Sequence, residues 1–244
     1  MTRRLTAILL VSVPAASAQI QNAGFESGDF APWGVANTPN GTSVSSGIAT
    51  YDIDGPGPLP ASKAASFMVG RTGGMAPEGI TISQSVPFAA GRDVLLTFNW
   101  SVHAMVNVYN QSGGIFELLV NGVVINQATA PVTVQGQHSY GQLSATYHTA
   151  GAADYTIAVR VTRTVPAGEE VVQYVDNIIA APVCKANCDY STAPPILNAN
   201  DFQCFLNSFA FAEDYANCDG STAAPVLNAN DFQCFLNAYA AGCT

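Results

Sequence analysis

The chain has 244 residues, of which 48% are hydrophobic and only 10% are charged, and its net charge at pH 7 is −9. This length accommodates one sandwich-sized domain and one small domain. Eight scattered basic residues against seventeen acidic ones argue against nucleic acid as a partner, because phosphates require a basic patch.

The first eighteen residues have the pattern of a secretory signal peptide. Arg3 and Arg4 precede an apolar run from Ala7 to Val13, and Ala16-Ser17-Ala18 forms a small-residue cleavage site. A buried N-terminal helix is the alternative interpretation. We therefore expect residues 1–18 to be removed, the mature chain to begin at Gln19, and the protein to be secreted or held at the cell surface, with no membrane span.

Residues 19–181 carry strand patterns separated by Gly, Pro, Asn and Asp turns. In the run from Val94 to Val102, apolar side chains alternate with polar ones, as expected of a strand with one buried face. Asn121-Gly122 is a hairpin signal. The eight predicted strands indicate a mainly β fold, a jelly-roll β-sandwich. They are Ile48–Ile53, Ala65–Val69, Ile80–Val86, Val94–Val102, Phe116–Ile125, Gln142–His148, Tyr155–Thr162 and Val171–Ile179.

Two segments of this domain carry a family resemblance. The segment Asn22-Ala23-Gly24-Phe25-Glu26-Ser27-Gly28-Asp29-Phe30, followed by Trp33, and the segment Tyr174-Val175-Asp176-Asn177-Ile178 resemble the first and last strands of galactose-binding-like jelly rolls. Many carbohydrate-binding modules have this fold. The resemblance implies a structural Ca²⁺ that joins the chain ends, with Glu26 and Asp176 as its carboxylate ligands. The alternative is that Glu26 is a solvated turn residue and Asp176 a polar residue at a strand end.

Carbohydrate binding requires aromatic platforms beside hydrogen-bonding groups. Tyr51 and Tyr109 adjoin loops rich in Asp, Asn and Gln, which makes them the candidate ligand-binding residues. Trp100 shares its predicted strand face with apolar side chains, and Trp33 follows the N-terminal segment, so we expect both in the core.

The sequence gives little indication of catalysis. His103, His138 and His148 are isolated, and no Gly-x-Ser-x-Gly elbow accompanies them. We therefore expect no enzymatic activity. A divergent polysaccharide-active hydrolase would need two facing carboxylates, for example Asp52 with Asp54 or Glu169 with Glu170.

The last sixty residues contain one unit written twice. The segment from Ala186 to Asn207 returns thirty residues later from Ala216 to Asn237. Each copy places four apolar side chains at i, i+3, i+4 and i+7, which predicts two short helices that pack on each other. The four are Phe202, Phe205, Leu206 and Phe209 in the first copy, and Phe232, Phe235, Leu236 and Tyr239 in the second.

Each copy also has a loop rich in oxygen-bearing side chains before its helix. Six to eight hard oxygen ligands are what Ca²⁺ requires, so the loops predict two calcium sites. The alternative is that these residues are turn formers. The predicted ligands are Asn187, Asp189, Ser191, Asn198 and Asp201 with the Ile196 carbonyl, and Asn217, Asp219, Ser221, Asn228 and Asp231 with the Val226 carbonyl.

From Cys184 to Thr244, these tandem units resemble the cysteine-containing dockerin domains of secreted bacterial proteins. The resemblance implies that a helical face docks to a cohesin-type partner on a scaffold or cell envelope. The loops depart from the EF-hand in having Thr at position 6 and Asp at position 12, and in being longer. Tyr190 replaces the Gly220 of the second copy, which makes the first loop the weaker expected site.

All six cysteines lie in this C-terminal region. In an exported protein, an even number of cysteines in a small domain predicts disulfide bonds, for which sequence alone allows fifteen pairings. The repeat favours Cys188–Cys204 and Cys218–Cys234 within the copies, which leaves Cys184 and Cys243 to join the ends.

These observations together predict a secreted, non-catalytic protein. A jelly-roll domain that binds polysaccharide is followed, after the linker Ala180-Ala181-Pro182-Val183, by a calcium-binding, dockerin-like domain over residues 184–244. The alternatives are a structural surface or adhesion protein that binds no glycan, and the divergent hydrolase.

Overall fold

A computed structural model describes residues 20–55, 60–88, 92–105, 111–168, 171–189 and 195–242. The chain divides into two compact units between Ala181 and Pro182. The predicted signal peptide lies outside the described residues.

The first unit is a jelly-roll β-sandwich, as predicted. One five-stranded sheet has the order β1-β4-β9-β6-β7, the other has the order β2-β3-β10-β5-β8, and the pairings whose registers are described are antiparallel. The strands are β1 (Gly34–Asn37), β2 (Gly41–Tyr51), β3 (Ser62–Arg71), β4 (Glu78–Phe88), β5 (Arg92–Ala104), β6 (Gln111–Val120), β7 (Val123–Thr133), β8 (His138–Thr149), β9 (Ala153–Arg163) and β10 (Val171–Pro182).

The eight predicted runs all overlap strands, although Ile48–Ile53 runs two residues past the end of β2, and Phe116–Ile125 was wrong as a single strand. The chain reverses at Asn121 and Gly122, which both have positive φ, so this run contains the end of β6 and the start of β7. Asn-Gly favours this turn because both residues tolerate left-handed backbone angles. Strand β1 was not predicted, because its four residues are all exposed and carry no apolar alternation.

The core of the sandwich lies between the two sheets. Leu96, Phe98 and Val102 of β5 are at most 1% exposed and pack with apolar side chains of β9. Trp33 and Trp100 are 5% and 9% exposed, which confirms the prediction that both belong to the core. Burying such side chains contributes about 1.5–3 kcal/mol each.

The second unit consists of two helices and their connecting loops. Helix α1 spans Ala199–Ala210 and helix α2 spans Ala229–Ala241, with a short 3₁₀ turn at Asp214–Ala216. Phe205 and Phe235 are both fully buried, and their rings stack with centroids 4.2 Å apart, so the helices pack as predicted. Leu206 was wrongly assigned to the packed face: it is 37% exposed, whereas Ser208 of the same helix is buried.

In each copy, one disulfide bond links the loop to its helix. Cys188 bonds to Cys204 and Cys218 bonds to Cys234, each pair sixteen residues apart, which confirms the predicted pairings within the copies. Cys184 is also disulfide-bonded, and its predicted partner Cys243 lies outside the described residues.

Candidate functional site

The outer face of the second sheet gathers aromatic and imidazole side chains that are far apart in the sequence. Tyr51 ends β2, Tyr174 lies on β10, His103 lies on β5, and His138 and Tyr140 lie on β8. We call these five residues the tyrosine–histidine face. Strand alternation explains the position of His103: its neighbours on β5, Val102 and Ala104, point into the core, so His103 points outward.

Tyr51 is the centre of this face. Its ring lies parallel to that of Tyr174, with the centroids 3.6 Å apart and the planes at 4°. Its hydroxyl is 2.8 Å from Nδ1 of His138 and 3.2 Å from Oγ of Ser101. These contacts hold the half-buried tyrosine in a single orientation with part of its surface accessible.

The two histidines of the face are cross-strand neighbours. The register of β5 and β8 places His103 opposite His138, and their rings stack with centroids 4.0 Å apart. Burial lowers the pKa of His103 below its ordinary value, and the neighbouring His138 lowers it further. Burial likewise raises the pKa of Tyr51 above 10.0; the charge of Asp52 adds to this effect and the hydrogen bond with Ser101 opposes it. The neutral forms of Tyr51 and His103 are therefore favoured.

Polar side chains border the tyrosine–histidine face. Tyr140 is 52% exposed, and next to it Nε2 of Gln142 donates to Oδ1 of Asn99 at 3.1 Å. The turn at residues 52–55 packs on Tyr140: a Cβ at Gly55 would lie 2.5 Å from Cε1 of that tyrosine, so only glycine fits. Asp52 and Asp54 thereby lie beside the face.

This arrangement can bind a ligand that has both flat apolar surfaces and hydroxyl groups. Aromatic rings offer stacking surfaces, while the hydroxyl, imidazole and amide groups around them donate and accept hydrogen bonds. Tyr51 is the predicted ligand-binding residue that the structure places here, whereas Tyr109 lies outside the described residues. Sequence reasoning missed Tyr174, His103 and His138. For His103 the signal was available, because the polar alternation of β5 continues through Ser101 to this residue.

Glu26 and Asp176, the predicted calcium ligands of the sandwich, lie near each other where the first and last segments of this unit meet. Asp176 is 1% exposed; its Oδ2 accepts from Oγ of Ser62 at 3.0 Å and its Oδ1 accepts from the Asn177 amide at 2.7 Å. Glu26 accepts from the Lys63 amide at 3.1 Å. Both side chains lie next to Gly24: a Cβ on that residue would be 3.5 Å from Oδ1 of Asp176 and 3.8 Å from Cγ of Glu26.

Asp176 lies in an environment that disfavours its charge. Burial raises its pKa to about 6, the hydrogen bonds from Asn177 and Ser62 lower the pKa, and the carboxylates of Glu26 and Asp54 raise it. A cation bound between Glu26 and Asp176 would offset this cost.

In the second loop of the C-terminal unit, two predicted ligands begin helix α2. Asn228 is its N-cap and accepts from the Asn230 amide at 2.8 Å. Asp231 is fully buried and accepts from the amides of Asn228 and Asp219 at 2.8 and 3.2 Å. Burial raises the pKa of Asp231, but the hydrogen bonds to its carboxylate outweigh burial, so its pKa is lower than normal. Asp231 therefore remains ionised.

The rest of this loop contains an unsatisfied oxygen. Asn217 donates through Nδ2 to the Ser221 carbonyl at 2.9 Å, whereas its Oδ1 is buried and accepts no hydrogen bond from the described residues. Asp219 accepts from the Ser221 amide at 2.8 Å, and Oγ of Ser221 donates to the Val226 carbonyl at 3.1 Å. A cavity of about 260 Å³ is lined by Asn217 and Val226, together with Ala212, Glu213, Asp214 and Leu227.

The first loop has the same framework where it is described. Asn198 caps α1, and fully buried Asp201 accepts from the amides of Asn198 and Asp189 at 2.8 and 3.3 Å. The Asn187 amide donates to the Cys184 carbonyl, and Ile196 is 37% exposed. The predicted ligand Ser191 lies outside the described residues.

The donor atoms of the second loop fit Ca²⁺. A buried amide oxygen without a hydrogen-bond donor, an ionised carboxylate and a backbone carbonyl are hard oxygen ligands. Within the described residues, no three His, Cys, Asp or Glu side chains form a cluster that could hold a metal ion, so amide, hydroxyl and carbonyl oxygens would supply the remaining ligands. The calcium assignment stays a prediction for both loops.

No family model and no curated protein matches the chain. Among solved structures, it is similar to the carbohydrate-binding module TmCBM61 in complex with β-1,4-galactotriose, with 16% identity over 69% of this chain and 100% of that one and a TM-score of 0.43. A family 4 carbohydrate-binding module gives 14% identity over 67% and 99% of the chains, with a TM-score of 0.40. The arabinose-bound α-L-arabinofuranosidase MgGH51 gives 12% identity over 79% and 30%, with a TM-score of 0.44. Within the described part of the chain, no helix has the length and hydropathy needed to cross a membrane.

Proposed function

We propose that this is a secreted, non-catalytic protein whose β-sandwich binds polysaccharide on the tyrosine–histidine face. The observation that carries the proposal is the orientation of Tyr51, which is stacked on Tyr174 and fixed through its hydroxyl by His138 and Ser101. A preorganised aromatic ring loses little conformational freedom when a sugar ring stacks on it.

The surroundings of Tyr51 supply the hydrogen bonds that a sugar needs. Exposed His138 and Tyr140 offer polar atoms on one side, and the Asn99–Gln142 amide pair offers further donors and acceptors along the same strands. Sugar hydroxyl groups both donate and accept, so they match neutral imidazole, phenol and amide groups.

The first test is retention of the full mature chain in native gels that contain soluble polysaccharides. The panel contains β-1,4-galactan, mixed-linkage β-glucan, galactomannan and xylan. We expect at least one polysaccharide to retard the protein and Tyr51→Ala to abolish the retardation. Met75→Ala is the control, because Met75 is 84% exposed and lies outside the face. Absence of retardation by every polysaccharide would favour a structural surface protein.

The absence of catalysis is part of the same proposal. The Tyr51 hydroxyl is hydrogen-bonded to both His138 and Ser101, so these contacts serve to orient the aromatic ring. We expect no release of reducing sugar from any polysaccharide that the protein binds. Turnover that disappears in Asp52→Asn would instead support a hydrolase.

For the C-terminal unit we propose a calcium-stabilised, dockerin-like module that docks to a cohesin-type protein on a scaffold or cell envelope. The unsatisfied Oδ1 of Asn217 and the buried carboxylates of Asp201 and Asp231 support calcium binding. Bound Ca²⁺ would neutralise the loop carboxylates. The remaining predicted ligands would hold it through their oxygens, and Glu26 and Asp176 would hold a structural Ca²⁺ in the sandwich.

Docking has its own test. The full chain, with and without Ca²⁺, would be passed over immobilised cohesin domains. Calcium-dependent capture supports the module, and capture that is unaffected by chelation, or no capture by any cohesin, argues against it.

A further inference from the structure

Two carboxylates lie beside the tyrosine–histidine face. Asp52 and Asp54 belong to the turn that packs on Tyr140 through Gly55. Asp52 lies within electrostatic range of Tyr51 and His138, and Asp54 lies within range of Asp52 and Asp176. One end of the face therefore has two neighbouring carboxyl groups.

No basic side chain compensates for these carboxylates among the residues of the first unit whose side chains are described. Arg160 is paired with Glu117 on the other sheet at 2.6 Å, and Arg163 is fully buried. Arg71 donates to the Thr164 carbonyl, and Lys63 lies on the same side of β3 as the core-facing Ala65 and Phe67. The cationic candidates on the face are therefore its two imidazoles.

We propose that the tyrosine–histidine face selects uncharged polysaccharides and rejects those that carry carboxylate or sulfate groups. This inference rests on the proposed function, because it specifies the ligand of the same face. A uronate stacked on Tyr51 would bring its carboxylate close to those of Asp52 and Asp54. Like charges at such distances repel, and the repulsion is screened beyond a Debye length of about 8 Å at physiological ionic strength.

The test measures binding at pH 7.5 to three chemical forms of each of three polysaccharides. β-1,4-Galactan, mixed-linkage β-glucan and galactomannan are each used unmodified, oxidised at C6 to the uronate, and oxidised and then methyl-esterified. The esterified form restores neutrality without restoring the original hydroxymethyl group. We expect oxidation to weaken binding at least tenfold at low salt, and esterification to recover most of that loss.

A pair of charge variants locates the effect. Asp54→Asn should raise affinity for the oxidised polysaccharide severalfold and leave affinity for the neutral form unchanged. Asp154→Asn removes the same charge from an exposed position on the other sheet and should have no effect.

Each remaining result would overturn the inference. Equal or tighter binding of the oxidised form, or an esterified form as weak as the oxidised one, contradicts charge selection while leaving glycan binding intact. If Asp154→Asn raises affinity for the oxidised polysaccharide as much as Asp54→Asn does, the net charge of the protein, and not the carboxylates beside the face, determines the selectivity. Failure to bind any polysaccharide of the full panel, xylan included, in any form overturns both the inference and the proposed function.

Discussion

Tyr51 and Tyr174 lie face to face with their ring centroids 3.6 Å apart, although strand β3 separates their strands in the sheet. Tyr174 belongs to a buried cluster with Ile53, Ala64 and Val172, and Tyr51 packs against this cluster. The small Ala64 side chain leaves room for the tyrosine of the edge strand to lie over the sheet. Tyr174 is therefore the support on which the proposed binding residue rests.

The first prediction concerns this support. Tyr174→Ala should lower the free energy of unfolding by about 3 kcal/mol, because it removes a large buried ring, and should weaken glycan binding by releasing Tyr51. Tyr174→Phe keeps the stacked ring and should bind as the wild type does. Chemical denaturation and gel retention measure the two effects. Tight binding by a folded Tyr174→Ala variant would show that Tyr51 needs no support.

The second prediction concerns pH. Because the pKa of His103 is lowered in the folded state, the unfolded chain takes up its proton first as pH falls. The contribution of His103 to stability is therefore complete above the unfolded pKa of about 6.5 and is lost as pH falls toward the lower folded value.

Denaturation curves between pH 7.5 and 5 would measure this loss, and His103→Gln should remove that part of the pH dependence. His148→Gln is the control, since His148 lies at the other end of β8 beside Asp93. An unchanged pH profile in His103→Gln would contradict the prediction.

The third prediction concerns the second calcium loop. Asn217→Ala should weaken Ca²⁺ binding by the full-length protein, because it removes the buried oxygen that accepts no hydrogen bond from the residues the structure describes. Asn217→Asp should strengthen binding, since an added charge raises the affinity of such loops. Calorimetric titration with Ca²⁺ distinguishes the two. Indistinguishable titrations of both variants and the wild type would show that this loop holds no calcium.

The fourth prediction concerns the disulfide of the same copy. Replacing both Cys218 and Cys234 by Ala should lower the stability of the second unit by about 3 kcal/mol, because the bond closes a loop of sixteen residues. The midpoint of the thermal transition of that unit measures the loss. A midpoint within 1 °C of the wild type would assign the stability of the unit to helix packing instead.

Sequence patterns predicted the elements of this protein better than its candidate site. Period-two alternation found the strand containing Trp100, and period-3.6 spacing found the helix containing Phe205, because both patterns depend on burial along one element. The repeat also predicted the pairing of Cys188 with Cys204.

The tyrosine–histidine face could not be predicted because it is assembled across strands. His103 and His138 are thirty-five positions apart and meet only through the register of β5 and β8, which alternation does not specify. The stack of Tyr51 on Tyr174 depends on the sheet order, in which β2 and β10 are separated by β3.

Glycan binding at the tyrosine–histidine face is tested most directly by mapping the ligand on the folded protein. An oligosaccharide prepared from the retained polysaccharide would be titrated into isotopically labelled protein and followed by amide chemical shifts. We predict that the largest shifts occur at Tyr51, His138 and Tyr140. Shifts confined to the outer face of the other sheet, around Glu117 and Arg160, would contradict the account.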